Sequence, residues 1–354
     1  MLDYKNINFK VHMPMEFLYS LFASGTEKLF YEMIREFELE PNKKIVTYIA
    51  EMKKGLSRFM HQELDYFFDL SGLGYIFYKI ILNHPELDNI EQLLNILKNL
   101  NPNELVLYVI ESVCKNNIPN EDREDYKLLK YDTDRMLALI NMTSFQDPQR
   151  KLRVIEALQN PEEIQQRFHF LLSQFYIKSF KPIEREILDI LTEEKNNYVD
   201  LFKANQKLFL EQYLSLDSFD CNTNLIIHLS FFKYVSWHSY SLFKPELPDW
   251  FILGIYSNLL FEKNLSAEKL SYFFKSLSDP NRIEIIKLLA ERPWFGQELA
   301  EKLNITPATI SYHMGFLQQI GAVTFKRADN RSYYSLNITK LLKPMTEFVE
   351  FFKN

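Results

Sequence analysis

A chain of 354 residues is too long for one ordinary core and is expected to fold as two or three packed units. With 47% hydrophobic residues, 25% charged residues and only eight glycines, its composition is that of a globular, mainly helical protein, and argues against disordered, fibrous and glycine-loop phosphate-binding chains. The net charge of −6 speaks at first against a nucleic-acid partner, but residues 266–354 hold 12 Lys or Arg against 9 Asp or Glu, whereas the rest holds 29 against 38, so the basic excess is C-terminal.

Asp3, Lys5 and Lys10 interrupt the N-terminus, which lacks the continuous apolar segment of a signal peptide, so a cytoplasmic location is expected. The longest apolar stretches, Leu225 to Leu229 and Phe251 to Ile255, fall far short of the roughly 18 residues that cross a bilayer, so no membrane span is expected. Across the first 220 residues, apolar side chains recur three and four apart, as in Met52, Leu56, Phe59 and Met60, in Ile76 and Ile80, and in Leu93, Leu94, Leu97 and Leu100. This spacing predicts a helical bundle, divided by prolines at 41, 85, 102, 119, 148, 161 and 182. The acidic run Glu121 to Asp125 reads as a solvated loop or first helical turn. Cys114 and Cys221, far apart and without paired spacing, read as buried apolar residues rather than a zinc, redox or disulfide pair.

Between Thr223 and Ser257 the pattern changes to short runs of branched and aromatic residues, Leu225 to Leu229 and Trp250 to Tyr256, which predict a strand pair around a proline-bearing loop. Trp237, His238 and Tyr240 nearby are candidates for lining a small-molecule pocket, although an aromatic core holding one satisfied histidine is the simpler reading. A cap signal at Ser266 places the domain boundary there, giving a helical sensory or oligomerising domain at 1–265, with the strand pair at about 223–257, and a second domain at 266–354.

The second domain reads as helix, helix, helix and two-stranded wing. Asp279-Pro280 opens a helix with Ile283, Ile286, Leu288 and Leu289 on one face; Gln297 to Leu303 forms a second, and Asn304-Ile305 the turn. Thr306 caps a third helix with Pro307 at its first position and Ile310, Met314 and Leu317 turned to the core. Its other face offers Thr306, Ala308, Thr309, Ser311, Tyr312 and His313, short or polar groups able to approach base edges in a major groove. Gly321 ends the helix and leads into a hairpin whose Lys326, Arg327, Arg331 and Tyr333 suit the phosphate backbone. Leu270, Phe273 and Phe274 on the opening helix, and Leu341, Met345, Phe348 and Phe352 on the last, form stripes larger than a small domain's own core needs, which predicts a homodimer.

The strings SLSDPNRIEIIKLL, QELAEKLNITPATISYHMGFLQQIGAV and RSYYSL, in this order and without a gap, resemble the winged helix-turn-helix of ArsR-type bacterial repressors. The resemblance covers under a fifth of the chain and implies sequence-specific binding of a double-stranded DNA operator by a dimer, with the helix from Thr306 to Gln319 in the major groove. Two departures stand out. Where metal-sensing members carry a cysteine pair, this chain has Arg292-Pro293-Trp294-Phe295-Gly296, and Thr339 to Phe352 contains neither Asp nor His, so no metal or other cofactor is expected. Gly315 sits inside the third helix where a larger residue is usual. The remaining histidines, His12, His61, His84, His169 and His228, show no ligand spacing, and GxSxG, Walker A and dinucleotide fingerprints are missing, so no enzyme is expected.

The expectation is therefore a mainly α protein: a helical N-terminal domain with a short strand pair, then a winged helix-turn-helix that acts as a transcriptional repressor modulated by a small-molecule or protein effector. Its rival is an interaction module, docked on DNA, whose helical domain binds a protein or peptide.

Overall fold

The computed structural model describes residues 6–37, 39–70, 74–113, 132–143, 148–213, 224–240, 247–260, 266–328 and 331–350. Cys114, Pro119, the acidic run 121–125, Cys221, Pro245, the wing tip 329–330 and Phe352 lie outside them.

In chain order the first elements are β1 (Ile7–Lys10), α1 (Met13–Gly25), α2 (Glu27–Glu36), α3 (Lys43–Lys54), α4 (Arg58–Leu64), α5 (Tyr75–Asn83), α6 (Ile90–Asn99), α7 (Pro102–Val113), α8 (Thr133–Met142), α9 (Pro148–Gln159), α10 (Pro161–Phe175), α11 (Lys181–Ala204) and α12 (Gln206–Tyr213). Two π-helical segments, Asp65–Leu70 and Tyr176–Phe180, follow α4 and α10 directly. The prolines mark starts as expected: Pro102, Pro148 and Pro161 each open a helix, where the missing N–H costs nothing. Polar side chains accept from backbone N–H groups of the first turn elsewhere, as His12 does for Met15, Asn42 for Lys44, Ser57 for Met60 and Asn89 for Gln92.

The chain divides into two compact units, and the division does not follow the boundary expected at Ser266. One unit is residues 11–192 with 230–232; the other joins 1–10, 193–229 and 233–354. In the helical unit α1 is buried almost throughout, with Phe17 edge-on to Tyr176 and Phe180. Its buried Glu16 accepts from the backbone N–H groups of Phe231 and Phe232 at 2.9 and 3.1 Å, so the carboxylate is met by two donors. A second polar knot joins α4, α9 and α10: the Arg167 guanidinium grips buried Glu63 through Nε and Nη2, both at 3.0 Å, and reaches Glu156 at 3.1 Å. The Tyr66 hydroxyl donates to Glu156 at 2.8 Å, and burial together with that bond pushes its ionisation well above the ordinary range. These charges are matched inside the fold, and we read them as structural.

The other unit corrects the expected strand pair. β2 (Leu225–Ser230) and β4 (Asp249–Gly254) are the two strands anticipated, but they lie inside a four-stranded sheet of order β1-β2-β4-β3, with β3 at Trp237–Tyr240. β1 runs parallel to β2 with Ile7 opposite Leu225, and β3 antiparallel to β4 with Trp237 opposite Leu253. Both added strands are four residues long, too short for an alternation to stand out. Phe9 packs on Phe202 and Phe209, and the Tyr198 hydroxyl donates to the Ile255 carbonyl at 3.0 Å, tying α11 and α12 to the sheet. At the β2–β3 turn Tyr234 is left-handed, φ 58°, and its carbonyl lies against Gly254, where a Cβ would come to 2.0 Å.

Strand alternation separates the three pocket candidates. Trp237 stacks on Phe251 at 4.8 Å from one face of the sheet, whereas His238 and Tyr240 sit together on the other, rings 4.5 Å apart. Burial, then the Lys233 charge, pulls the His238 ring down to about 3, and burial lowers Lys233 to about 8. His238 is thus neutral in the fold while the unfolded chain takes up a proton below about 6.5. The stability it contributes is present above that pH and is lost as pH falls toward 3, at up to about 1.4 kcal/mol per unit. Urea titrations at pH 7 and 5 should show a loss of roughly 2 kcal/mol attributable to this ring, and His238→Gln should remove that part; identical pH profiles for the two proteins would refute it.

Candidate nucleic-acid interface

After α13 (Ser266–Leu277) the chain forms α14 (Pro280–Glu291), α15 (Gly296–Leu303), α16 (Pro307–Gln319), the hairpin β5 (Val323–Ala328) and β6 (Arg331–Leu336), and α17 (Ile338–Glu350). One apolar core holds them together: Phe273 and Leu277 from α13, Ile285, Leu288 and Leu289 from α14, Leu299 and Ala300 from α15, Ile310, Met314 and Leu317 from α16, Val323 and Leu341. The α14 face differs by one position from that expected, since Ile285 is buried and Ile283 exposed.

Local chemistry sets each helix. Asp279 accepts from the N–H groups of Asn281 and Arg282 at the start of α14. Glu298 reaches back to the Phe295 N–H at 3.2 Å to open α15, and the turn to α16 passes through Asn304 at φ 55°, a conformation asparagine tolerates better than most residues. Thr306 Oγ1 accepts from the Thr309 N–H at 3.0 Å and meets the Thr309 hydroxyl at 2.8 Å, capping α16 as its sequence predicts. Gly321, at φ 72°, releases the chain into the wing.

The wing gains an edge that sequence reading missed. Trp294 exchanges both backbone hydrogen bonds with Tyr334, at 3.0 and 2.7 Å, so the stretch that takes the place of a cysteine pair is a β-bridge. The Trp294 indole donates to the Leu288 carbonyl at 2.7 Å and its ring carries the Arg292 guanidinium 3.7 Å above it. Of the two wing tyrosines, Tyr334 turns toward the core and half-buried Tyr333 meets Phe295 edge-on.

The expected outer face of α16 is partly corrected. Thr306, Thr309, Ser311 and Tyr312 are half-buried, and the side chains of Ala308, Lys326, Arg327 and Arg331 lie outside the described set. His313 is buried at 3% exposure, because it stands three residues after Ile310 and four before Leu317 and so shares their inward side. Its Nδ1 lies 3.9 Å from Asp279 Oδ1. Arg282, also buried, was not foreseen: its guanidinium lies 3.7 Å over the Phe316 ring and 5.8 Å from that of Tyr312, and donates to the Ser276 carbonyl at 3.2 Å. An arginine two residues after a helix-opening proline carried no signal of burial.

The dimer stripes are likewise divided. Phe273 and Leu341 are spent in the domain's own core, half-buried Leu270 and Met345 flank it, and Phe274 and Phe348 remain at 36% and 39% exposure with rings 4.7 Å apart. Ile338, Leu342 and Val349, not anticipated, are also exposed on α17.

Residues 279–324 match the family model described as bacterial regulatory protein, arsR family. The chain is 38% identical over 68 residues to the transcriptional repressor SdpR of Bacillus subtilis (strain 168), a match that covers 19% of this chain and 76% of that protein. The chain belongs to the ArsR family. It is 36% identical over 73 residues to the arsenical resistance operon repressor of Staphylococcus xylosus, 21% of this chain and 70% of that protein. With the cadmium resistance transcriptional regulatory protein CadC of Listeria innocua it shares 32% over 89 residues, 25% of this chain and 75% of that one. As an ArsR member the chain is a DNA-binding transcriptional repressor. Among the described residues no three His, Cys, Asp or Glu side chains are grouped to hold a metal ion.

Proposed function

We propose that the chain represses transcription as a homodimer that reads a pseudo-palindromic operator with α16, and that residues 1–265 shift its DNA affinity in response to an effector. The observation that carries this is the capped helix α16, anchored through Ile310, Met314 and Leu317, with Thr309, Ser311 and Tyr312 on its sides. Base contacts are assigned to Thr306, Ala308, Thr309, Ser311 and Tyr312, with Lys326, Arg327, Arg331 and Tyr333 on phosphates. The dimer face is assigned to Phe274, Phe348, Ile338, Leu342 and Val349, because exposed rings and aliphatics on adjoining helices favour a self-complementary contact. Sequencing DNA retained by the purified chain at 50 and 200 mM salt tests the reading: enrichment of a two-fold symmetric site supports it, and steeply salt-dependent but sequence-indifferent retention overturns it. Sedimentation should give a dimer, and Phe348→Asp a monomer.

Gly315 provides a separate test. A Cβ there would meet nothing within 4 Å, so Gly315→Ala should raise stability by about 1 kcal/mol through helix propensity alone. If the α16 backbone closes on the duplex at this residue, operator affinity falls in the same variant. Higher stability with unchanged affinity would move the groove contact away from Gly315.

The rival reading, a helical unit that docks a protein or peptide, is favoured by one observation: Phe59 and Phe170 are exposed with rings 6.1 Å apart on α4 and α10. Recovery of a stoichiometric protein partner, lost in Phe59→Ser, would support it.

A further inference from the structure

Part of the side of α16 opposite its core residues is taken up by the chain's own elements. In a winged helix with Ile310, Met314 and Leu317 inward, the positions around Tyr312, Gly315 and Gln319 point outward and would face water. Yet no described residue of α16 is exposed. Phe316 is buried at 2%, although it stands outside the core shared by Ile310, Met314 and Leu317. Part of this cover comes from the domain itself, through Arg282 over Phe316 and the Tyr272 hydroxyl bonded to Gln319 at 2.5 Å. β3 also comes close to α16, while the space beside Gly315 stays open.

β3 is the rim of its sheet and pairs with β4 alone among the described strands. A rim strand can leave a neighbour without opening the rest of the ladder. A helix with its side chains is about 10–12 Å across and fills a major groove about 12 Å wide. A strand lying on that helix and a duplex around it therefore exclude each other.

We propose that β3 is a built-in cover of the reading helix, so that the chain as described is in a closed, autoinhibited form and operator binding requires β3 to withdraw from α16. The proposal rests on the reading of α16 as the DNA-contacting helix and names how that site is regulated. Apparent affinity then equals the intrinsic affinity multiplied by the open fraction, and any change that loosens β3 tightens binding by the same factor. Trp237 and His238 lie on opposite faces of β3, so truncating each in turn loosens the strand from either side.

The test uses the full chain and a duplex selected by it from a random library. Trp237→Ala or His238→Ala should tighten binding tenfold or more, and amide exchange in residues 237–240 should rise when the duplex is added to the wild type, while 307–319 becomes protected. Unchanged affinity in both variants overturns the cover, as does protection of 307–319 with no change in 237–240. Should either variant fail to fold, the exchange measurement on the wild type decides alone. Ser311→Asp separates the two levels of the argument: if it binds like the wild type, the reading of α16 fails, whereas loss of binding in Ser311→Asp with no effect from β3 leaves that reading intact and sinks only the cover.

Discussion

Ser311→Asp is expected to lose operator binding by about 100-fold or more while keeping the fold, since a carboxylate set against base edges and phosphates meets like charge and strips donors of their partners. Ser311 is half-buried on the flank of α16 and outside the apolar core, so its replacement by a residue of similar size leaves Ile310, Met314 and Leu317 in place. Circular dichroism and the urea midpoint should stay near those of the wild type. Retention of selected DNA at low salt should disappear. Binding that survives the substitution would exclude Ser311 from the interface, and with it the assignment of the α16 flank to the groove.

Among the described glycines, Gly254 should be the one where alanine does most damage. Its Cβ would lie 2.0 Å from the Tyr234 carbonyl oxygen, 2.3 Å from the carbonyl carbon and 2.9 Å from the Val235 nitrogen, all of them backbone atoms. The turn has little room to yield, because Tyr234 is already left-handed and is held by bonds from Gly254 N–H to the Ser236 carbonyl and from Tyr256 N–H to the Tyr234 carbonyl, at 2.9 and 3.0 Å. Such a clash costs roughly 3–5 kcal/mol, a large part of a typical stability. The expected result is a strongly lowered urea midpoint or insoluble chain; a midpoint equal to that of the wild type would contradict the close approach.

The winged helix was legible because its signals are local. A capping aspartate before Pro280, a threonine before Pro307, a left-handed Asn304 and a glycine after Gln319 act within a few residues, and each takes the place expected for it. What escaped sequence reading depends on distant partners. β1 is four residues whose pairing partner starts at Leu225, and no periodicity within Ile7–Lys10 announces it. Trp294 and Arg292 read as a loop because their strand partner is Tyr334, far along the chain. His313 was misplaced for a simpler reason: a polar residue was assigned to the outer face by its chemistry, although its spacing from Ile310 and Leu317 puts it inward, beside Asp279. The grouping of the sheet with the C-terminal elements likewise rests on tertiary contacts and has no composition mark at Ser266.

The parallel rung between Ile7 and Leu225 imposes an order on vectorial synthesis. At about 5–20 residues per second, a translating ribosome leaves Ile7–Lys10 without its partner for roughly 10–40 s, long enough for the helices from Met13 onward to condense first. β3 and β4 emerge next, and α16 only after them. A nascent chain that folds as it is made therefore completes its sheet before the last helices leave the exit tunnel, and each newborn repressor meets β3 before it can meet a promoter.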